Sequence, residues 1–195
     1  MANSKSAYSF AGKKQKPDTH IIVVWVDNEA GVLARVVGLF SGRGYNIESL
    51  AVAEVDQKQN ISRITIVTTG TPQVVDQIKL QLKKLVPVHK VADFKREDKN
   101  VIFKEMALFK FVANNGKLNK ALEACKNFNP VILDKTNKSN VIQITALRRE
   151  IDTMSKNLKK FGLVSVSRTG AVAMTRGSEI CLLYTSDAAD DSPSV

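Results

Sequence analysis

Cysteine and histidine are scarce in this 195-residue chain, with two of each. Cys125 and Cys181 do not make a disulfide framework, and neither stands in a metal-ligand spacing. His20 and His89 are isolated from each other and from the cysteines, so no metal site is expected. Cys125 falls on the apolar stripe of a predicted helix and reads as a small buried hydrophobe. Long apolar runs are missing too. The longest, residues 21–26, falls far short of the roughly 20 residues that cross a bilayer as a helix. The N-terminus is polar and lysine-bearing, without the apolar core of a signal peptide. A soluble cytoplasmic protein with no membrane partner is the expectation.

The usual marks of catalysis are absent as well. No G-x-G-x-x-G lies between a strand and a helix, and there is no P-loop, no H-E-x-x-H and no serine nucleophile elbow. The glycines of "GRGYN" (42–46) follow a helical pattern rather than open one, so they cannot cradle a phosphate. The chain is expected to catalyse nothing by itself. Its net charge of +10 invites a nucleic-acid partner, but the lysines are scattered along the whole length. Neither an aromatic-and-basic RNA-binding motif nor a zinc-finger spacing is found. A solvated surface is the plainer reading, and an acidic protein partner fits it as well as nucleic acid does.

What is present is apolar patterning, in a chain that is 44% hydrophobic and long enough for one or two compact domains. Residues 1–18 carry four lysines without period and read as a disordered lead. "IIVVWV" (21–26) is β-branched and apolar without alternation, which predicts a strand covered on both faces. Val32, Leu33, Val36, Val37 and Phe40 recur at helical spacing until Gly42 and Gly44 stop the helix. "NIESLAVAEV" (46–55) and "SRITIVTTG" (62–70) read as strands joined through "DQKQN". Thr71 and Pro72 open a second helix, with Val75, Ile78, Leu82 and Leu85 on one face. Pro87 closes it, and "VHKVADF" (88–94) gives a last strand.

Strand, helix, strand, strand, helix, strand is the ferredoxin-like βαββαβ order. After the charged linker "KREDKN" (95–100) the same order begins again, without repeating the sequence. The second helices carry Leu118, Leu122 and Cys125, then Ile151, Met154, Leu158 and Phe161. The expected fold is α+β, two ferredoxin-like βαββαβ domains at 19–96 and 101–180. The tail 181–195 changes composition: from residue 185 it has three aspartates, no Lys or Arg and no apolar period, and it is set aside as disordered and foreign to the rest.

One junction draws notice. Asn28 and Gly31 stand where the first strand meets the first helix, and Asn46 and Ile47 stand where that helix gives way to the next strand. A helix N-terminus offers unpaired N–H groups and a partial positive charge, which suits a carboxylate. Gly31 lets a ligand approach the backbone, and Asn28 offers a donor and an acceptor. Val32 and Leu33 supply an apolar border. Together these describe a site for an amino acid with an aliphatic side chain. The plainer alternative is that Asn28 is only an N-cap and Gly31 only a first-turn residue.

The stretch "DNEAGVLARVVGLFSGRGYNIESLAV", with "SRITIVTTG", "QIKLQLKKLVPVHKV" and "VSRTGAVAMTRGSE" after it, resembles the small regulatory subunit of acetolactate synthase (acetohydroxyacid synthase). The likeness runs in order from about residue 20 to 180. It implies that the first half is an ACT domain and the second the family's own C-terminal domain. It implies a non-catalytic subunit that activates a large catalytic subunit and confers feedback inhibition by valine, or another branched-chain amino acid. The large subunit of that family uses thiamine diphosphate, Mg²⁺ and FAD, and this chain would bind none of them. Asn28, Gly31, Val32 and Leu33 match the family's effector site, and Asn46 and Ile47 match its partner side. The site is thus expected between two ACT domains of a homodimer, and the doubly apolar first strand agrees with that pairing. The rival expectation is an ACT-domain sensor acting on nucleic acid or another protein, although no helix-turn-helix is found.

Overall fold

A computed structural model describes residues 16–96 and 98–177. Most of the lysine-bearing lead, the acidic tail and Cys181 lie outside the described residues. The first unit is β1 (Asp18–Asp27), α1 (Val32–Ser41), β2 (Ser49–Asp56), β3 (Ile61–Gly70), α2 (Pro72–Leu82) and β4 (Val88–Lys95). Its sheet is antiparallel throughout, in the order β2-β3-β1-β4. Local chemistry sets the corners. The Asp56 carboxylate accepts from the N–H groups of Lys58 and Gln59 at 2.8 and 3.1 Å, and Asn60 takes a positive φ of 54° to close the hairpin. Thr71 caps α2, accepting from the Val74 N–H at 3.4 Å, with Pro72 at the first helical position.

The second unit repeats the order with β5 (Val101–Val112), α3 (Asn115–Cys125), β6 (Val131–Lys135), β7 (Ser139–Ala146), α4 (Arg148–Asn157) and β8 (Leu163–Thr175). Its sheet runs β6-β7-β5-β8. Both units are therefore βαββαβ. The charged linker is a hydrogen-bonded turn: Asp98 N–H donates to the Lys95 carbonyl at 3.0 Å, and Arg176 N–H reaches back to the Asn100 carbonyl at 2.7 Å. One expected boundary moves. The second strand begins at Ser49, so Asn46 and Ile47 precede it.

Each sheet carries its helices on one face. In the first unit Ile22, Val24 and Val26 meet Val36, Phe40, Val75 and Ile78. In the second, Phe109 and Phe111 meet Leu118, Cys125, Ile151 and Met154. Burial pushes the Cys125 thiol up to about 11, which leaves it a packing group rather than a nucleophile.

The other face of β1 decides how the two units sit together. Ile21, Val23 and Trp25 are 4%, 0% and 2% exposed, and they pack against Val101, Ala171 and Ala173 of the second unit. Phe94 and Phe103 meet edge to face across the same seam, with centroids 6.5 Å apart. The Arg63 guanidinium lies 5.3 Å over the Trp25 ring and donates to the Ala173 carbonyl. At Gly170 the chain passes so close that a Cβ would lie 2.7 Å from Ser49 Oγ, and φ there is +82°. Alternation is lost in β1 because its second face is covered by the chain's own C-terminal unit. The expectation that pairing of two ACT domains explains this strand is therefore corrected: β1 carries no information about dimerisation.

Fully burying a side chain of this size contributes about 1.5–3 kcal/mol, so the seam of Ile21, Val23 and Trp25 is worth several kcal/mol. A chain ended after Asp98 leaves this face open to water. Its single tryptophan is expected to emit at longer wavelength than in the full chain, with exposed apolar surface and self-association. An emission maximum equal to that of the full chain contradicts the seam.

Candidate functional site

The β1–α1 junction is built from both sides of the sheet end. Asp27 N–H donates to the Pro87 carbonyl at 2.9 Å and Asn28 N–H to the Asn60 carbonyl at 2.7 Å. The Asn60 side-chain amide returns a bond to the Asn28 carbonyl at 3.3 Å. These bonds pin the exit of β1 to the hairpin and to the start of β4. Asp27 also pairs with His89 Nε2 at 2.6 Å.

Asn28 does not cap the helix. The N-cap is Gly31, at φ 85°, and no side chain caps the first turn. The capping alternative for Asn28 is thereby overturned. Its Oδ1 instead accepts from Ser62 Oγ at 2.9 Å, which holds the amide in place and leaves Nδ2, on an exposed residue, as a free donor. Of the donor-and-acceptor pair read from the sequence, the donor is free and the acceptor is already engaged once. Gly31 is required by its left-handed backbone, since a Cβ there would meet nothing within 4 Å. The space in front of it is open.

The apolar border divides. Leu33 is 40% exposed beside the open turn, whereas Val32 is 3% exposed and points into the core under the helix. Val32 can offer a ligand its backbone only. Asn28, Gly31 and Leu33 thus share one end of the sheet. Asn46 and Ile47 do not join them. The Asn46 carbonyl accepts from Thr68 Oγ1 at 2.7 Å, and Ile47 packs half-buried against the core. Asn28 is bonded at Asn60 and Asn46 at Thr68, eight residues apart along β3, or roughly 25 Å at about 3.3 Å per residue. One chain therefore cannot close a single site from both groups. Ser62 and Asn60, which orient Asn28, were not singled out from the sequence. The polar hairpin "DQKQN" was the only signal pointing to them.

Uncapped helix N–H groups, the Asn28 amide donor and the exposed Leu33 lie together at the β1 end, donors that suit an anion beside an apolar side chain. Among the described residues no group of three or more His, Cys, Asp and Glu is placed to hold a metal ion, and no helix is long and apolar enough to cross a membrane.

A βαββαβ unit whose antiparallel sheet runs β2-β3-β1-β4 with both helices on one face has the fold of an ACT domain. Residues 22–90 match the family described as the AHAS small subunit-like ACT domain. Residues 104–177 match the family described as the small subunit of acetolactate synthase. The acetolactate synthase small subunit of Mycobacterium bovis is 36% identical, over 83% of this chain and 94% of that protein. That of Aquifex aeolicus is 37% identical over 86% of each. The crystal structure of the acetolactate synthase small subunit from Thermotoga maritima covers 83% of this chain and 99% of its own, with a TM-score of 0.73 at 31% identity. The chain belongs to the acetolactate synthase small-subunit family.

The backbone at Gly31 sets a measurable cost. Gly31→Ala places a Cβ on a left-handed residue and is expected to lower stability by about 1–2 kcal/mol in urea unfolding, while Gly31→Asn loses less. Equal stability of Gly31→Ala and the unaltered chain contradicts this backbone.

Proposed function

We propose that the chain is a regulatory subunit that joins a catalytic large subunit of acetolactate synthase, raises its activity and makes it sensitive to valine. It has no catalytic site of its own in this reading. Thiamine diphosphate, Mg²⁺ and FAD belong to the large subunit, which condenses pyruvate on the route to the branched-chain amino acids. The observation that carries the reading is the ACT domain of this family, with its first helix opening uncapped on Gly31 beside the free Nδ2 of Asn28.

The ligand's carboxylate takes the helix N–H groups and the Asn28 amide donor, and its aliphatic side chain lies against Leu33. Its ammonium is left for oxygen acceptors of a second copy, of which the exposed Asn46 amide is one. The topology supports such a pairing. β2 is an outer strand of its sheet, with Val52 and Val55 exposed at 44% and 42%. Its start lies at the Asn46 end and its finish at the Asn28 end. Two β2 edges meeting antiparallel about a two-fold axis set the start of each against the finish of the other. The Asn28 group of one copy then faces the Asn46 group of its partner, twice per dimer.

The test is reconstitution with the large subunit. The unaltered chain is expected to raise the acetolactate rate and to impose valine inhibition, and to make no acetolactate by itself. Asn28→Ala and Gly31→Asp are expected to raise the half-inhibiting valine concentration about 10- to 100-fold, the loss of one hydrogen bond to a charged group, while activation persists. Unchanged valine sensitivity contradicts the site, and absence of activation by the unaltered chain contradicts the role. In sedimentation at micromolar concentration the full chain is expected to be a dimer, and replacing Val52 with Lys on the β2 edge is expected to weaken it. A monomeric unaltered chain contradicts the pairing.

A further inference from the structure

A second opening lies away from the Asn28 end, in the seam between the two units. It is a cavity of about 450 Å³, within the usual range for small-molecule sites. Its apolar floor is made by Ile21 and Val67 of the first unit and Phe103 and Ala171 of the second. Four cations border it: Arg96, at the end of β4, Lys104 on β5, and Arg148 and Arg149, at the start of α4. Two carboxylates lie there, and both are engaged. Glu48 accepts from Thr69 Oγ1 and lies 3.8 Å from Arg148 Nη2, and Asp152 pairs with Arg168 Nη1. Arg168 is further held by both carboxylate oxygens of buried Glu105, at 2.7 Å each.

The remaining cations have no such company. No carboxylate among the described residues pairs with the side chain of Arg96, Lys104 or Arg149. Arg148 is anchored through Nη2 on the Glu48 carbonyl at 3.3 Å, while its Nη1 is buried without a hydrogen-bond partner. A buried guanidinium N–H left unpaired costs free energy that a bound acceptor recovers. The start of α4 adds to the same field. Leu147 has no side-chain acceptor, so the N–H groups of Arg148 and Arg149 are uncapped, while Glu150 turns back to accept from the Leu147 N–H at 2.8 Å.

We propose that this interdomain cavity is a second binding site, for an organic anion of two or more negative charges joined to an apolar body. The charged end, phosphate or paired carboxylates, sits among Arg96, Lys104, Arg148 and Arg149. The apolar body lies on Phe103 and the floor of the seam. The cavity is larger than a single aliphatic amino acid fills, and the cationic border favours an anion over a zwitterion. Because both units contribute to the lining, an occupant binds the docked arrangement and not the separated one, and so strengthens the seam by mass action. This site stands apart from the effector reading and does not depend on it.

The full chain is titrated calorimetrically with phenyl phosphate, with benzylsuccinate and with inorganic phosphate. Saturable binding of phenyl phosphate, benzylsuccinate or both supports the site, and the preferred arm identifies phosphate or carboxylate as the charged group. Inorganic phosphate is expected to bind at least tenfold more weakly than the better arm, since it lacks the apolar body. The triple substitution Arg96→Gln, Lys104→Gln and Arg149→Gln, all on exposed side chains, is expected to weaken the better probe about tenfold or more, with tryptophan emission unchanged. Removing equal charge at α3, with Lys117→Gln, Lys120→Gln and, just after the helix, Lys126→Gln, all exposed, is expected to leave binding within twofold. No binding by either organic probe at millimolar concentration overturns the proposal. So does equal affinity for inorganic phosphate, and so does an equal loss in the α3 variant.

Discussion

The packing of the second unit onto the open face of β1 is the constraint from which the rest of the molecule follows. A four-stranded sheet with two helices covers one face only. Ile21, Val23 and Trp25 occupy the other, and an exposed apolar face of that size invites association. In this chain Val101, Ala171 and Ala173 close it from within. Two βαββαβ units thereby become one body with a shared apolar seam, and Trp25 sits inside it beneath Arg63 and Lys90. The close approach at Gly170, where Ser49 Oγ also accepts from the Ala171 N–H at 3.3 Å, keeps β8 against the start of β2.

That arrangement has consequences at both ends of the first sheet. With its open face filled, the unit keeps the outer edge of β2 and the loops at the strand ends for other partners. The Asn28 end stays open in front of an uncapped helix. The Asn46 end lies next to Glu48, which borders the interdomain cavity and touches Arg148 of the second unit. The segment 46–48 is therefore common ground between the proposed effector site and the seam. A ligand that reorders Asn46 has a short covalent path to the contact holding the domains together.

Some of the chain's cations join carboxylates in specific pairs, as Arg168 does with Glu105 and Asp152, and four border the cavity at the seam. The Glu105 carboxylate raises the pKa of Arg168 above its ordinary value, so the guanidinium stays charged. Lys79 is likewise raised by the Asp76 carboxylate beside it.

The sequence by itself determined the order of elements, the two βαββαβ units and the positions of most core residues. Those features depend on periodicity and turn chemistry within a few residues, such as Val75, Ile78 and Leu82 on one helical face or Asp56 at the hairpin. It also drew attention to Asn28 and Gly31, through residue types that suit a helix entrance. Pattern alone could not say what covers the second face of β1, because an apolar side chain reads the same whether its cover comes from its own chain or another. Nor could it tell that Val32 points into the core and Leu33 out, or that Ser62 takes the Asn28 acceptor. Those outcomes depend on where a strand some thirty residues away places one hydroxyl. The cluster of Arg96, Lys104, Arg148 and Arg149 was invisible for the same reason. Its members are separated by up to 53 positions in the chain, and only the docking of the two sheets brings them to one cavity.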